Sequence, residues 1–472
     1  MTGGLLQLVA TGVQDIFLIG NPQITFFKVV YQRHTNFSME SISAPGDGEL
    51  NFGNKLVYKI PRNGDLIHTI MLEVDLPLLE SKNAGSPGSG QISWVNALGH
   101  ALISKVELEI GGQVIDRQYG EWMEIWSQLS TDTSKKYGYD QLISRSDNYQ
   151  TVTGPLTVYI PLQFWFCRNI GLALPLIALQ YHEVKINVFF RPLNQLYTFG
   201  PVNYYVGSKT GSTVTITSNN PEFSNSDTNK IIVWSDSSTD TIQTYTNTTT
   251  VQTTASSSKV SQSFYIKPND SLLENVRIID ARMFIDYIYL DTYERKKFAQ
   301  MKHSYLIEQI QYSEAESYIT GQTSKKFSLN FNLPVKALYW VTQLDDVAIT
   351  NDWFNYSNTV DPNETKGDSI STAQLLLNGT ERFEARTAPY FRLVQPFNYH
   401  TTTPKNYVYM YSFALKPEEH QPSGQCNFSK IDIADLNVNF NALTGNSSFR
   451  CYAINYNVLR IFSGMAGQAF SN

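Results

Sequence analysis

Period-two alternation, repeated in short bursts along most of the chain, constrains the fold more than any other feature of this sequence. Lys105–Ile110 (KVELEI) alternates polar and apolar residues, Gly111-Gly112 offers the φ > 0 pair of a tight hairpin, and Val114-Ile115 returns. Glu183–Phe190 (EVKINVFF), Arg282–Leu290 (RMFIDYIYL), Lys326–Leu333 (KFSLNFNL), Tyr407–Leu415 and Leu436–Phe440 alternate in the same way. Such a pattern sends one face of each segment to a core and the other to solvent. Gly, Pro and Asn clusters separate the runs, so the chain is predicted to be all-β, built as sandwiches or barrels. The 28 Tyr and 26 Phe suit pleated, half-buried surfaces.

Helical spacing is confined to a few places. Leu5, Val9, Val13, Ile16 and Phe17 share one face of a helix predicted over residues 3–19, interrupted by Gly12 and stopped at Gly20-Asn21-Pro22. Cys167–Leu179 and Thr292–Met301 (TYERKKFAQM) are the interior candidates. The second falls between two long runs of strands and predicts a connector at 291–303. Residues 208–263 are more than half Ser, Thr and Asn, and predict an elaborated surface loop with some β structure at Val214, Ile216 and Ile231–Trp234. Gly85–Gly90 (GSPGSG) and Asp361–Ser369 are simpler loop signals.

Charge and cysteine content exclude several functions. With 36 basic and 42 acidic side chains the net charge is −6, which offers no electrostatic footprint for nucleic acid. Cys167, Cys426 and Cys451 form no CxxC pair, which excludes a zinc ribbon or disulfide framework and suits a reducing compartment. The opening MTGGLLQLVATGVQ lacks a basic n-region, and the apolar stretch near Ile170–Leu179 contains Pro175 and is too short to span a bilayer. A soluble protein made in the cytosol is expected.

No enzyme motif emerges, and no cofactor or metal is predicted. The seven histidines show no HExxH. His182-Glu183 and Glu418-Glu419-His420 are each two-thirds of a metal site, but structural, hydrogen-bonded histidines explain them better. Gly207–Thr210 (GSKT) lacks the spacing of a phosphate loop. Asp345-Asp346 is the obvious carboxylate pair for a glycosidase, yet neighbours on a strand face opposite ways unless the segment turns. Glycosylation sequons include Asn247, Asn269, Asn355 and Asn363, although without a secretory signal ordinary luminal glycosylation is not expected.

Several long segments resemble one family, the double jelly-roll major capsid proteins of nucleocytoplasmic large DNA viruses, of the phycodnavirus, iridovirus and marseillevirus kind. The resemblance runs through Gly20–Phe37 (GNPQITFFKVVYQRHTNF), Phe52–Ile67 (FGNKLVYKIPRNGDLI) and Tyr159–Ile186 (YIPLQFWFCRNIGLALPLIALQYHEVKI). It continues in Asp286–Gln311 (DYIYLDTYERKKFAQMKHSYLIEQIQ), Tyr411–Asp432 (YSFALKPEEHQPSGQCNFSKID) and Leu459–Asn472 (LRIFSGMAGQAFSN). Phe331–Pro334 and Asn378–Arg382 depart from the family pattern, and residues 200–275 match nothing in it.

The resemblance implies two consecutive antiparallel eight-stranded jelly rolls with few short helices. Their limits would be an arm at 1–26, a first roll at 27–290 carrying the 208–263 insert, the connector at 291–303 and a second roll at 304–472. It implies a structural protein, not an enzyme, that forms homotrimeric pseudo-hexagonal capsomers and tiles an icosahedral virion capsid. Expected partners are neighbouring capsomers, minor capsid proteins and a vertex (penton) protein, with an internal membrane nearby and no direct nucleic acid contact. Assembly would follow synthesis in the host cytoplasm. Apart from the resemblance, the apolar face of Leu5, Val9, Val13 and Phe17 is too large to leave in water, so these residues are expected to form an inner-face assembly arm, the alternative being a helix that folds back onto its own roll. A catalytic reading of Glu418, Glu419, His420 and Cys426 would need a Cys–His pair within hydrogen-bond reach. The alternatives are a carbohydrate-binding or glycosidase-like β-sandwich and a minor jelly-roll vertex or spike component.

Overall fold

The computed structural model describes residues 7–79, 92–146, 155–199, 204–217, 222–235, 238–267, 276–319, 321–360, 364–441, 443 and 445–470. The Gly85–Gly90 loop, Leu5, Asn269 and Asn363 lie outside the described residues. The chain divides into two compact units, Met1–Phe37 and Ser38–Asn472.

The first roll contains β1 (Phe37–Pro45), β2 (Lys55–Lys59), β3 (Leu66–Leu76), β4 (Ile103–Ile110), β5 (Gln113–Tyr119), β6 (Leu156–Pro161), β7 (Val184–Phe190) and β8 (Asp280–Leu290). They form two antiparallel sheets, ordered β1-β8-β3-β6 and β2-β7-β4-β5. The β4–β5 hairpin turns at Gly111 (φ 58) and Gly112 (φ 85), the left-handed pair expected there.

The second roll contains β9 (His303–Tyr312), β10 (Ser324–Ser328), β11 (Pro334–Leu344), β12 (Ile370–Leu377), β13 (Thr380–Glu381), β14 (Tyr409–Ser412), β15 (Ala434–Phe440) and β16 (Ser447–Phe462). Its sheets are ordered β9-β16-β11-β14 and β10-β15-β12-β13. Adding eight to every strand number of the first roll reproduces the second. The chain is a double jelly roll. Two strands are shorter than their alternation predicts: β10 ends at Ser328, and β14 begins only at Tyr409, after Tyr407 (φ 42) has left the extended region.

The wall between the rolls departs from simple alternation. Along β11, Val335, Leu338 and Trp340 enter the second roll's own core. Ala337, Tyr339 and Val341 join the larger core that the first roll supplies. On β16, Cys451 and Ala453 face one way and Tyr452 and Ile454 the other. This sheet is therefore buried on both faces, and the two rolls share it.

Helices differ from expectation. Cys167–Leu179 is not one helix. It breaks into the turn Trp165–Arg168, the 3-10 turns Ile170–Leu172 and Leu176–Ala178, and the Leu174–Pro175 strand between them, because Pro175 cannot donate to a helical ladder. Two helices not among those predicted, Gly120–Ser130 and Thr133–Leu142, fill the β5–β6 connection, the second capped by the Asp132 carboxylate accepting from Ser134 N–H. Thr292–Gln300 does form, with the Asp291 carboxylate accepting from Tyr293 and Glu294 N–H at 2.9 Å.

Between β7 and β8 the Ser/Thr/Asn-rich segment is more ordered than a decorated loop. Tyr204–Ile216, Ile231–Trp234, Thr239–Asn247 and Thr250–Lys267 pair into one antiparallel sheet. Its own core includes Val214, Phe223, Ile232, Trp234, Ile242, Val251 and Phe264. The hydroxyl-rich residues occupy its outward positions, such as 254–259.

In the N-terminal unit the helix predicted over 3–19 is broken at Gly12. A 3-10 turn at Val13–Asp15 leads into the single turn Ile16–Ile19, which ends where Gly20 N–H bonds Ile16 O at 3.0 Å.

Candidate functional site

The densest polar chemistry lies in the seam between the rolls. The buried helix Gly120–Ser130 presents Glu121, Trp122, Glu124 and Trp126 along it. Glu121 takes a bidentate pair from Arg450 on β16, Nε to Oε2 at 2.8 Å and Nη2 to Oε1 at 2.7 Å. Tyr452 Oη donates to the same carboxylate at 2.6 Å. Burial alone would raise the Glu121 carboxyl, but Arg450 and Tyr452 outweigh it and hold it below the ordinary range. Trp122 packs against Tyr339 and Tyr452, with ring centroids 5.3 and 5.6 Å away.

A second cluster centres on Glu308 of β9. Arg168 from the first roll pairs with it at 2.8 Å, Lys336 of β11 at 2.5 Å and His420 at 3.7 Å. Against the penalty of burial, Arg168, His420 and Lys336 bring the Glu308 carboxyl down to about 2. Burial also lowers Lys336, to about 8 even with Glu308 beside it. Nearby, Asp116 of β5 accepts from the Ile310 N–H at 3.2 Å, and its full burial raises it to about 7. Gln309 Nε2 and Gln468 Nε2 both donate to Ile115 O. Buried polar groups in this seam fix register as well as position, since one slipped residue would strand several charges.

Two buried histidines also belong to this seam, and His400 meets the Trp126 ring edge-on at 6.0 Å. His100 Nδ1 lies 2.6 Å from Glu124 and its Nε2 3.0 Å from Tyr139 Oη. His400 Nδ1 lies 2.6 Å from Glu418 and its Nε2 3.1 Å from Tyr339 Oη. Burial pushes both imidazoles below their usual value, with the carboxylates opposing it. Thr402 Oγ1 donates to Leu129 O at 2.9 Å and ties the His400 segment to the first roll's helix.

The residues weighed for catalysis are dispersed into structural roles. His182 Nδ1 accepts from Ala466 N–H at 3.2 Å, and Glu183 pairs with Lys185. Glu418 is spent on His400 and Thr401, and Glu419 pairs with Lys416 at 2.7 Å. Among the described residues no hydrogen bond joins Cys426 to a histidine, and burial raises its thiol. Asp345-Asp346 does sit in a turn, with Asp345 accepting from Ser448 Oγ at 2.9 Å. Burial and then the Asp345 charge raise Asp346. No three metal-ligating side chains cluster among the described residues.

Of the sequons, Asn247 is exposed, and its Oδ1 accepts from Thr249 N–H and Oγ1 at 3.0 Å. Asn355 is corrected: it is 7% exposed and its Nδ2 donates to Thr359 O at 3.2 Å, so no glycan can reach it in the folded chain. The arm residues Val9, Val13 and Phe17 are exposed. Sequence reasoning missed Glu121, Asp116 and Arg450, whose partners lie far away in the chain, and the pairing of His100 with Glu124 across two separate helices.

Comparison with known proteins fits this architecture. A family described as the major capsid protein N-terminus matches residues 25–247, and one described as the large eukaryotic DNA virus major capsid protein matches residues 294–467. The major capsid protein of Pyramimonas orientalis virus is 41% identical, with 100% of each chain covered. A quasi-atomic model of the PBCV-1 virus capsid superposes with a TM-score of 0.66 at 31% identity, covering 95% of this chain and 100% of that one. The Faustovirus major capsid protein shares the fold at 13% identity, with a TM-score of 0.70 over 96% of this chain and 94% of its own. Two rolls of identical strand order, a shared buried sheet and matches over nearly the whole length lead to one conclusion: the chain belongs to the family of large eukaryotic DNA virus major capsid proteins.

Proposed function

We propose that this protein is the structural major capsid protein of a large DNA virus, with no catalytic role. Three copies associate into a pseudo-hexagonal capsomer that tiles the icosahedral shell of the virion. The observation that carries this reading is the repeated strand order. Two rolls of one topology, locked through a shared sheet, make one rigid tile side, and three such chains supply six similar corners. A three-fold ring is closed and heterologous, so each chain presents two different complementary faces. The units of this tile are the arm at 1–26, the first roll at 27–290, the connector at 291–303 and the second roll at 304–472.

Its partners are other copies of itself, neighbouring capsomers, minor capsid proteins and a vertex protein, above an internal membrane and without contact to nucleic acid. Synthesis and assembly occur in the host cytoplasm. The arm acts from the inner side of the capsomer. Asn247, exposed at the tip of the insert, is the acceptor that a glycosylating enzyme could reach. Native mass spectrometry at low micromolar concentration tests the reading: three chains of 53.5 kDa give about 160 kDa. A persistent monomer or a closed dimer overturns it.

A further inference from the structure

We infer that the seam between the rolls holds a binding site for a phosphorylated polyol, which would bridge the two rolls. A cavity of about 640 Å³ opens where the helices Gly120–Ser130 and Thr133–Leu142 of the first roll face residues 352–356 and 401–407 of the second. Its volume falls within the roughly 300–1,000 Å³ of small-molecule sites. Thr402, which lines it, donates through its N–H and its Oγ1 to Leu129 O, each at 2.9 Å, so the rolls are in contact along one side.

The parts of the wall that reach water select the ligand. The apolar lining residues Ala97, Phe354 and Pro404 are buried, which leaves little for an apolar ligand to cover. Tyr356 is buried too, and the Arg392 guanidinium lies over the Tyr407 ring, 4.9 Å from its centroid, so a nucleobase has little to stack on. What the wall exposes is Thr133, Thr401, Thr403, Lys366 and Lys405, with Lys136 partly exposed. Hydroxyls and ammonium groups from both rolls therefore face one space.

The acids of the wall do not oppose an anion. Glu124 is buried and already spent on His100 and Arg145, and burial raises the Asp352 carboxyl toward its neutral form. Lys136 pairs with Asp140, which leaves Lys366 and Lys405 of the second roll as the ammonium groups placed to take a phosphate. A phosphate alone would leave the threonine hydroxyls unused, and a neutral sugar would leave the lysines unused. A phosphorylated polyol uses both.

The test is isothermal titration of the full-length protein with inositol monophosphate and inositol hexakisphosphate, with inositol and inorganic phosphate as separate arms. At least one of the inositol phosphates should bind with a Kd below about 1 mM, and at least about tenfold tighter than inositol or phosphate alone. The bound ligand should also raise the melting temperature with its concentration. Lys366→Gln with Lys405→Gln should weaken binding about tenfold and leave the melting temperature of the ligand-free protein unchanged, because both side chains are exposed. Absence of binding by both inositol phosphates overturns the inference. So does inorganic phosphate binding as tightly as they do, which would reduce the site to a non-specific anion patch, or a double-glutamine variant that binds like the parent. None of these readouts depends on trimer formation or shell assembly, so the inference and the capsomer reading fail separately.

Discussion

Glu121 and Arg450 stand 329 residues apart in the chain and meet as a buried bidentate pair. Glu121→Gln would leave the buried Arg450 guanidinium without its counter-charge, facing neutral acceptors such as Gln343 Oε1, and should cost about 3–5 kcal/mol in urea unfolding. Replacing both partners with Met should cost much less, because no charge is then stranded. Protons act on the seam in two directions. Glu308, held at about 2, contributes stability that is fully present above its unfolded value of 4.5 and is lost as pH falls toward 2. His100 and His400, held neutral below the usual 6.5, also withdraw stability as pH falls beneath that value. Asp116 has the opposite sign. Raised to about 7 from 3.8, it is protonated in the folded chain below 7, and its ionised form carries a cost above 7. Asp116→Asn should therefore raise stability by about 2–4 kcal/mol at pH 8 and by less at pH 5. None of these residues carries a local signal, since a Glu, Asp or His in a sequence does not announce a partner that lies from 18 (His400–Glu418) to 329 (Glu121–Arg450) positions away.

At the level of elements, legibility followed exposure. The β4–β5 hairpin was readable because its glycines and one-sided alternation are local properties. The Gly120–Ser130 helix was missed although Glu121, Glu124 and Gln128 fall at helical spacing: nine of its eleven residues are buried, so the polar stripe meets protein partners and not solvent. β11 was equally opaque, with its alternate residues shared between two cores so that apolar and aromatic side chains fill both faces. The insert failed in the other direction. Its Ser, Thr and Asn content reads as loop, while a separate core of large side chains organises it from within. That separateness has a measurable result. Trp234→Ala removes the side chain whose Nε1 donates to Asp240 at 2.7 Å and should cost about 3–5 kcal/mol locally. Hydrogen-exchange protection should collapse over 204–267 while the rolls melt as before. A drop in the melting temperature of the whole protein would show that the insert shares its stability with the rolls.

Across the whole molecule, the double roll itself could be inferred only through family resemblance, because the two rolls share strand order without an internal repeat detectable in the sequence. A chain starting at Gln23 tests the arm at this scale. It should keep the melting temperature and trimer mass of the full-length protein and lose shell assembly. A fall of many degrees would instead place the arm in the folding core of its own subunit. The sheet that carries β11 and β16 has one more consequence. With Arg168 of the first roll clamped to Glu308 and Lys336 and the Trp122 ring packed on Tyr339, the first roll is held to this sheet by ion pairs and by aromatic packing at once, which opposes any swing of one roll against the other. A shell assembled from such pieces behaves like masonry and not like cloth: its blocks do not bend, and all curvature has to be taken up in the joints between molecules.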